Sequence, residues 1–237
     1  MTTRVVHTGD GVEFLRAARF PADHAIFTSL PDHSEVPTMG VAAWKTWFVE
    51  TVALACRAVD DHGVAVFYQT DVKHDGRWID KGHMVLSGAD AAGSHALFHK
   101  IVCRVPAGMV TFGRPAYAHL IAVSREARLD PGKSTADVMQ LGKMTWARAM
   151  GSNACDAAIA FIAATGATTV VDPFCGQGTA LAAANAAGLH AVGVELSKRR
   201  AAKARNIQRA PGADDVREER EPHPAAAGAD GSGQGAE

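Results

Sequence analysis

The sequence predicts an α/β protein, in which a mostly parallel sheet with an antiparallel edge is covered by helices on both faces. Three observations carry this. Strand-like apolar runs alternate with stretches whose apolar residues recur at helical spacing, from residue 4 to residue 209. Late in the chain a buried type of strand, Val170-Val-Asp172, runs into Pro173-Phe-Cys-Gly-Gln-Gly-Thr179 and then a helix, the local form of a nucleotide cradle. Glu195 closes a second apolar strand 23 positions after Asp172, the distance at which a carboxylate takes ribose hydroxyls.

Residues 4–8 read as a short strand that stops at Gly9-Asp10-Gly11, with a helix over 12–18. A second strand, 25–28, enters Ser29-Leu-Pro-Asp-His33, where Pro31 ends any ladder. Helical spacing over 41–59 places Trp44, Trp47, Phe48 and Val52 on one apolar face, and both tryptophans are expected in the core. After Gly63 come a strand at 64–69 and a helix at 79–92; strands 96–103 and 118–123 bracket a Pro/Gly-rich loop and should form the antiparallel edge. Residues 126–143 lack periodicity and are expected to be a loop turning at Pro131-Gly132. A helix over 147–164, the strand at Thr169, a helix over 179–187, the strand ending at Glu195 and a basic helix over 198–209 complete one domain, residues 1–210. Residues 211–237 have no apolar period and are expected to be a disordered acidic tail.

With 47% hydrophobic residues, 237 residues suffice for one core. No run of 18 apolar residues occurs and the start lacks an apolar signal segment, so a soluble cytoplasmic protein without a membrane partner is expected. Cys56, Cys103, Cys155 and Cys175 form no CxxC pair and should be reduced thiols. Of the histidines, the HxxxH pair His95 and His99 falls on a strand, so no metal site is expected. The formal charge of -1 hides an asymmetry: seven acids but two bases lie after residue 210, leaving a mildly basic body compatible with phosphate.

In a parallel sheet, ligands gather at the carboxyl ends of strands. Asp10, residues 29–33, residues 172–178 and Glu195 all occupy such ends and should converge. Gly176 and Gly178 let backbone approach a ligand, and Glu195 can accept from two hydroxyls. The third glycine of a dinucleotide fingerprint is missing, and so is the GxxxxGK[ST] of a phosphate loop. An adenosine ligand without pyrophosphate remains, and S-adenosyl-L-methionine fits.

These residues resemble the amino-methyltransferases of the DNA N6-adenine and N4-cytosine type, in the circularly permuted arrangement where the catalytic segment precedes the cofactor segment. That family's DPFxGxGT motif is matched in full by residues 172–179, its downstream acid by Glu195, and its Gly-Asp before the catalytic motif by Gly9-Asp10. The resemblance covers roughly residues 4–209. It implies a Rossmann-like class I methyltransferase fold with a seven-stranded type of sheet. It also implies cofactor contacts from Asp10, Asn153, Asp172, Pro173, Phe174, Gly176, Gly178, Thr179 and Glu195. The catalytic motif [DNS]PP[YFW] is met by Ser29, Leu30, Pro31 and Asp32, so the first proline and the aromatic platform for the base are replaced. Stacking would then fall to His33, while Asp32 could accept a proton or bond a base edge; the segment can also be read as a plain strand-ending turn.

On the substrate side, Arg114 is expected to reach phosphate and Phe112 or Tyr117 to stack, unless the loop is an ordinary exposed one. Trp146, Arg148 and Asn153 precede the cofactor strand, where the family places contacts to the methionine end. The basic helix offers either a phosphate track or a solvated face. The expected activity is methyl transfer to a base nitrogen of DNA or of structured RNA such as tRNA, by direct displacement. A small-molecule methyltransferase and a non-catalytic binding module of the same fold are the alternatives.

Overall fold

The computed structural model describes residues 1–144, 146 and 149–209; the expected acidic tail lies outside them. The chain begins with β1 (Arg4–Thr8), α1 (Gly11–Ala17) and β2 (His24–Thr28), followed by α2 (Val41–Ala58) and β3 (Ala65–Gln69). A hairpin of β4 (Val72–His74) and β5 (Arg77–Ile79) leads into α3 (Lys81–Ala91), β6 (His95–Cys103), β7 (Tyr117–Ser124) and β8 (Val138–Gln140). The last part is α4 (Ser152–Ala164), β9 (Thr169–Asp172), α5 (Thr179–Ala186), β10 (His190–Glu195) and α6 (Lys198–Asn206).

Eight strands form one sheet in the order β1-β10-β9-β2-β3-β7-β6-β8. Only β7 runs against its neighbours, β3 and β6. The inner strands β3 and β9 are buried at every position, which is why they read as unbroken apolar runs rather than alternating ones. On one face α4, α5 and α6 pack through Ala154, Ala158, Ile162, Leu181 and Ala201. On the other, α1, α2 and α3 pack through Leu15, Trp44, Phe48, Val52 and Val85.

The strands that come last in the sequence, β9 and β10, lie between β1 and β2 in the sheet. From β9 the chain passes to β10, and from β2 to β3, so neighbouring connections leave in opposite directions. A crevice must therefore open at the carboxyl ends of β2 and β9.

Three elements differ from expectation. The helix over 79–92 is shorter, because residues 72–79 form a hairpin around Asp75 and Gly76, both at positive φ (48° and 69°). Asp-Gly between short strands is the usual signal for such a turn. The loop at 126–143 contains β8, a parallel strand on the edge beside β6; it is three residues long with two exposed, so no alternation marks it. It makes the sheet eight-stranded. The helix expected from 147 starts at Ser152, after Gly151, whose Cβ would lie 1.9 Å from the Leu141 carbonyl oxygen. Among the described residues, no helix is long and apolar enough to cross a membrane.

Candidate active site

At the crevice lies a cavity of about 720 Å³, lined by Asp10, Ser29, Asp172 and Glu195 from the ends of β1, β2, β9 and β10. All four polar strand ends expected to converge do so. The register explains it: β2 and β9 run side by side, with Ile26 opposite Val171, and the next residues end both ladders. Thr28 donates its hydroxyl to Asp172 Oδ1 at 2.6 Å across this junction.

Asp172 is 1% exposed and also accepts from the Phe174 amide at 3.1 Å. Burial pushes its carboxyl from 3.8 up to about 7, against those two hydrogen bonds and with a smaller push from Glu195. Both bonds fall on Oδ1. Gly176, at φ 55°, faces the cavity, and its missing Cβ would sit 3.5 Å from the Trp146 ring. Gly178, at φ 88°, has a different duty: its Cβ would meet the Ala204 Cα at 2.9 Å, so this glycine lets α6 approach the loop and does not line the cavity. Pro173, Phe174 and Thr179 line it. Glu195 Oε1 accepts from the Ser197 amide (2.7 Å) and the Arg200 guanidinium (2.9 Å), so the carboxylate is aimed by its own following turn.

Asp10 caps α1 through the Val12 and Glu13 amides, at 2.7 and 3.1 Å. Gly11 was not singled out in the sequence, yet a Cβ there would lie 2.1 Å from the Pro173 carbonyl oxygen. Thus α1 is pressed onto the glycine loop. Trp146 lines the cavity, and its indole N–H is buried with no partner among the described residues. Such a donor costs about 1–3 kcal/mol until something accepts from it. Cys175 packs beneath the loop; burial, then Asp172 and Glu195, push its thiol far up, which disfavours the thiolate.

Three-dimensional comparison places this architecture among solved structures. TTHA0409 from Thermus thermophilus, named as a candidate DNA modification methylase, superposes with TM-score 0.65 at 18% identity, covering 86% of this chain and 93% of that one. It has also been solved with S-adenosyl-L-methionine, again at 18% identity, with TM-score 0.62. PvuII DNA methyltransferase, cytosine-N4-specific, matches with TM-score 0.62 at 12% identity, over 87% of this chain and 88% of that one. The fold is that of the DNA methyltransferases. No family model and no curated protein matches the sequence.

In this methyltransferase fold, Ser29, Leu30, Pro31 and Asp32 form the opposite wall of the same cavity. Leu30 is 2% exposed with its side chain in the α1–α3 core, so only its backbone can serve a ligand. The Pro31 carbonyl accepts from the Trp44 indole at 3.2 Å. Trp44 is fully buried, as expected, but Trp47 is only half-buried and lines the cavity beside Phe174. Asp32 is ion-paired with Lys81, a buried residue that also lines the cavity.

Several expected contacts sit elsewhere. His33 bonds the Met39 carbonyl at 2.9 Å and packs edge-on against Trp44 and His74, outside the cavity lining. Tyr117 is held between Trp78 and His119, also outside it, because alternate residues of β7 face away from the crevice. Asn153 takes the Ser152 hydroxyl at 3.2 Å in the first turn of α4 and is not in the lining. Arg114 lines the cavity, whereas Phe112, 92% exposed, projects beyond it. Arg148 lies outside the described residues.

Lys81 and Asp71 are cavity residues that the sequence did not single out. Arg104, and Arg200 from the basic helix, line the cavity as well. Asp71, Asp80 and His119 bring potential metal-ligand atoms within 4.8 Å of one another. Their hydrogen bonds already account for the grouping: Asp71 Oδ1 accepts from the Lys81 amide (2.8 Å) and contacts His119 Nε2 (3.0 Å), and Asp80 caps α3.

Proposed function

We propose that the protein is an S-adenosyl-L-methionine-dependent methyltransferase acting on a base nitrogen of nucleic acid, with residues 1–210 as its catalytic domain. The observation that carries this reading is one cavity, in a methyltransferase fold, lined on one side by the glycine loop and Glu195 and on the other by Ser29 to Asp32. The residues present suit the cofactor. Glu195, 6% exposed and oriented through Oε1, would take ribose hydroxyls; Gly176 would admit the cofactor against backbone; the unpartnered Trp146 N–H and the buried Asp172 carboxyl would meet its polar end. When bound, it supplies an electrophilic methyl group.

The chain's own contribution is positioning. The Leu30 carbonyl and a polar side chain of the Ser29–Asp32 turn accept the two N–H groups of the target amine, and Pro31 and the Trp44 indole fix that turn. With the Cys175 thiol held protonated, direct displacement fits better than a cysteine adduct. The permuted order, target loop before cofactor loop, is part of this reading, and so is a cytoplasmic setting in which the four thiols stay free. Arg104 and Arg114 in the cavity lining suit the phosphates of DNA or of a structured RNA such as tRNA.

Titration calorimetry with S-adenosyl-homocysteine should show one site on the wild type. Labelled methyl transfer onto DNA, bulk tRNA and a metabolite extract then identifies the substrate. Cofactor binding without incorporation anywhere would leave a binding module, and absence of binding would overturn the reading.

A further inference from the structure

We propose that Asp32 is the proton acceptor for the target amine and that Lys81 is the residue that positions it. This rests on the methyltransferase reading above. Within Ser29-Leu-Pro-Asp32, the Ser29 hydroxyl and the Leu30 carbonyl can accept a hydrogen bond, but neither holds a proton at neutral pH. Asp32 is the one ionisable acceptor in the motif. It stands at the position where the resembling family carries an aromatic ring, and it lines the cavity with 38% of its side chain exposed.

What gives Asp32 a defined aim is Lys81. That side chain is 3% exposed, and its ammonium pairs with Asp32 Oδ1 while lying 5.7 Å from the centre of the Phe48 ring. An ammonium buried so deeply has lost its water and needs a charged partner, so opening the pair would leave a buried charge uncompensated. Lys81 is itself fixed from behind. Its amide donates to Asp71 Oδ1 at 2.8 Å, and Asp71 is in turn held by the Trp78 indole at 2.9 Å and by His119 at 3.0 Å. The next residue, Gly82, lets the His119 ring come to 3.0 Å from where a Cβ would be, so the first turn of α3 is seated without slack. A solvated surface ion pair would have none of this support.

In the transfer itself, the target nitrogen forms the new N–C bond while the methyl–sulfonium bond breaks, its electron pair staying on sulfur. The N–H proton passes to the Asp32 carboxylate, which later returns it to water. Before transfer, the same carboxylate accepts the amine's hydrogen bond and makes the nitrogen more nucleophilic.

The test compares wild type with Asp32→Asn, Lys81→Met, Lys81→Arg and the double variant Asp32→Asn/Lys81→Met. Methyl transfer is measured on DNA and on tRNA, together with S-adenosyl-homocysteine titration and thermal unfolding. Asp32→Asn should lower kcat by about 100-fold, in the range of lost acid–base catalysis, with KM and cofactor affinity within about threefold. Lys81→Met should do the same, and Lys81→Arg should recover part of kcat because it keeps the ion pair. The double variant leaves no buried charge unpaired; it should stay folded and bind cofactor, yet remain slow. Wild-type kcat in Asp32→Asn, or losses that merely follow loss of fold or of cofactor binding, would overturn the proposal alone. A wild type that binds cofactor but methylates neither DNA nor tRNA would overturn the nucleic-acid reading, and this inference with it.

Discussion

The two walls of the cavity are built in different ways. The wall proposed for the cofactor, from Asp172 to Glu195, is made within 24 consecutive residues and held by backbone: the Cys175 amide donates to the Val194 carbonyl at 3.0 Å, and the Gly178 amide to the Cys175 carbonyl at 2.7 Å. The wall proposed for the target is held by side chains from afar. Trp44, in α2, fixes Pro31 from 13 positions away, and Lys81, in α3, fixes Asp32 from 49. A wall of backbone and glycine tolerates little change, because its shape is set by positive φ and close approach. A wall of side chains can be rewritten residue by residue while the scaffold stays, and Leu30 and Asp32 are where this chain departs from the motif it resembles.

The contrast can be broken most completely at Gly176. A valine there would carry a branched side chain at φ 55° and project into the cavity; Gly176→Val is expected to abolish S-adenosyl-homocysteine binding in calorimetry while target-wall variants keep it. Asp172 comes next. Its folded carboxyl is raised from 3.8 to about 7, so its contribution to stability is complete below about pH 4 and is lost as pH rises through 7. Asp172→Asn should therefore unfold like wild type at pH 4 and be more stable at pH 8, by up to about 4 kcal/mol, in urea titrations. If the two curves run parallel across that range, Asp172 is not the strained group.

Gly11→Ala sharpens the comparison from α1. Its Cβ would collide with the Pro173 carbonyl, so a loss of about 1–3 kcal/mol in thermal unfolding and weaker cofactor binding are expected, with the target wall undisturbed. The smallest effect belongs to Trp44→Phe. It removes one neutral hydrogen bond to Pro31, worth about 1 kcal/mol, besides leaving a void in the core, and should lower methyl transfer without changing cofactor affinity. Equal losses in both would mean that the walls are not independent.

The legibility of the molecule follows the same division. Buried parallel strands announce themselves as apolar runs, and the loop at 172–179 is a contiguous string whose function depends on backbone conformation, so both could be read along the chain. The hairpin at 72–79 had its Asp-Gly turn in plain view but no long strands to draw attention to it. Edge strand β8 had no signal, because three residues with two exposed show no alternation. His33 and Asn153 were expected on the site from their place beside its motifs, and Tyr117 as an aromatic of the 111–117 loop; their side chains instead serve turns and packing beside it.

By itself the sequence determined the α/β class and the glycine loop, since each depends on local backbone preference or on apolar spacing; that polar strand ends converge follows from a parallel sheet, and the strand order decided which ones meet. Tertiary structure alone decided that Lys81 faces Asp32, that Gly178 serves α6 and that Trp146 covers Gly176. These are contacts between segments brought together by the sheet order, and no periodicity along a chain records which buried charge its partner will find.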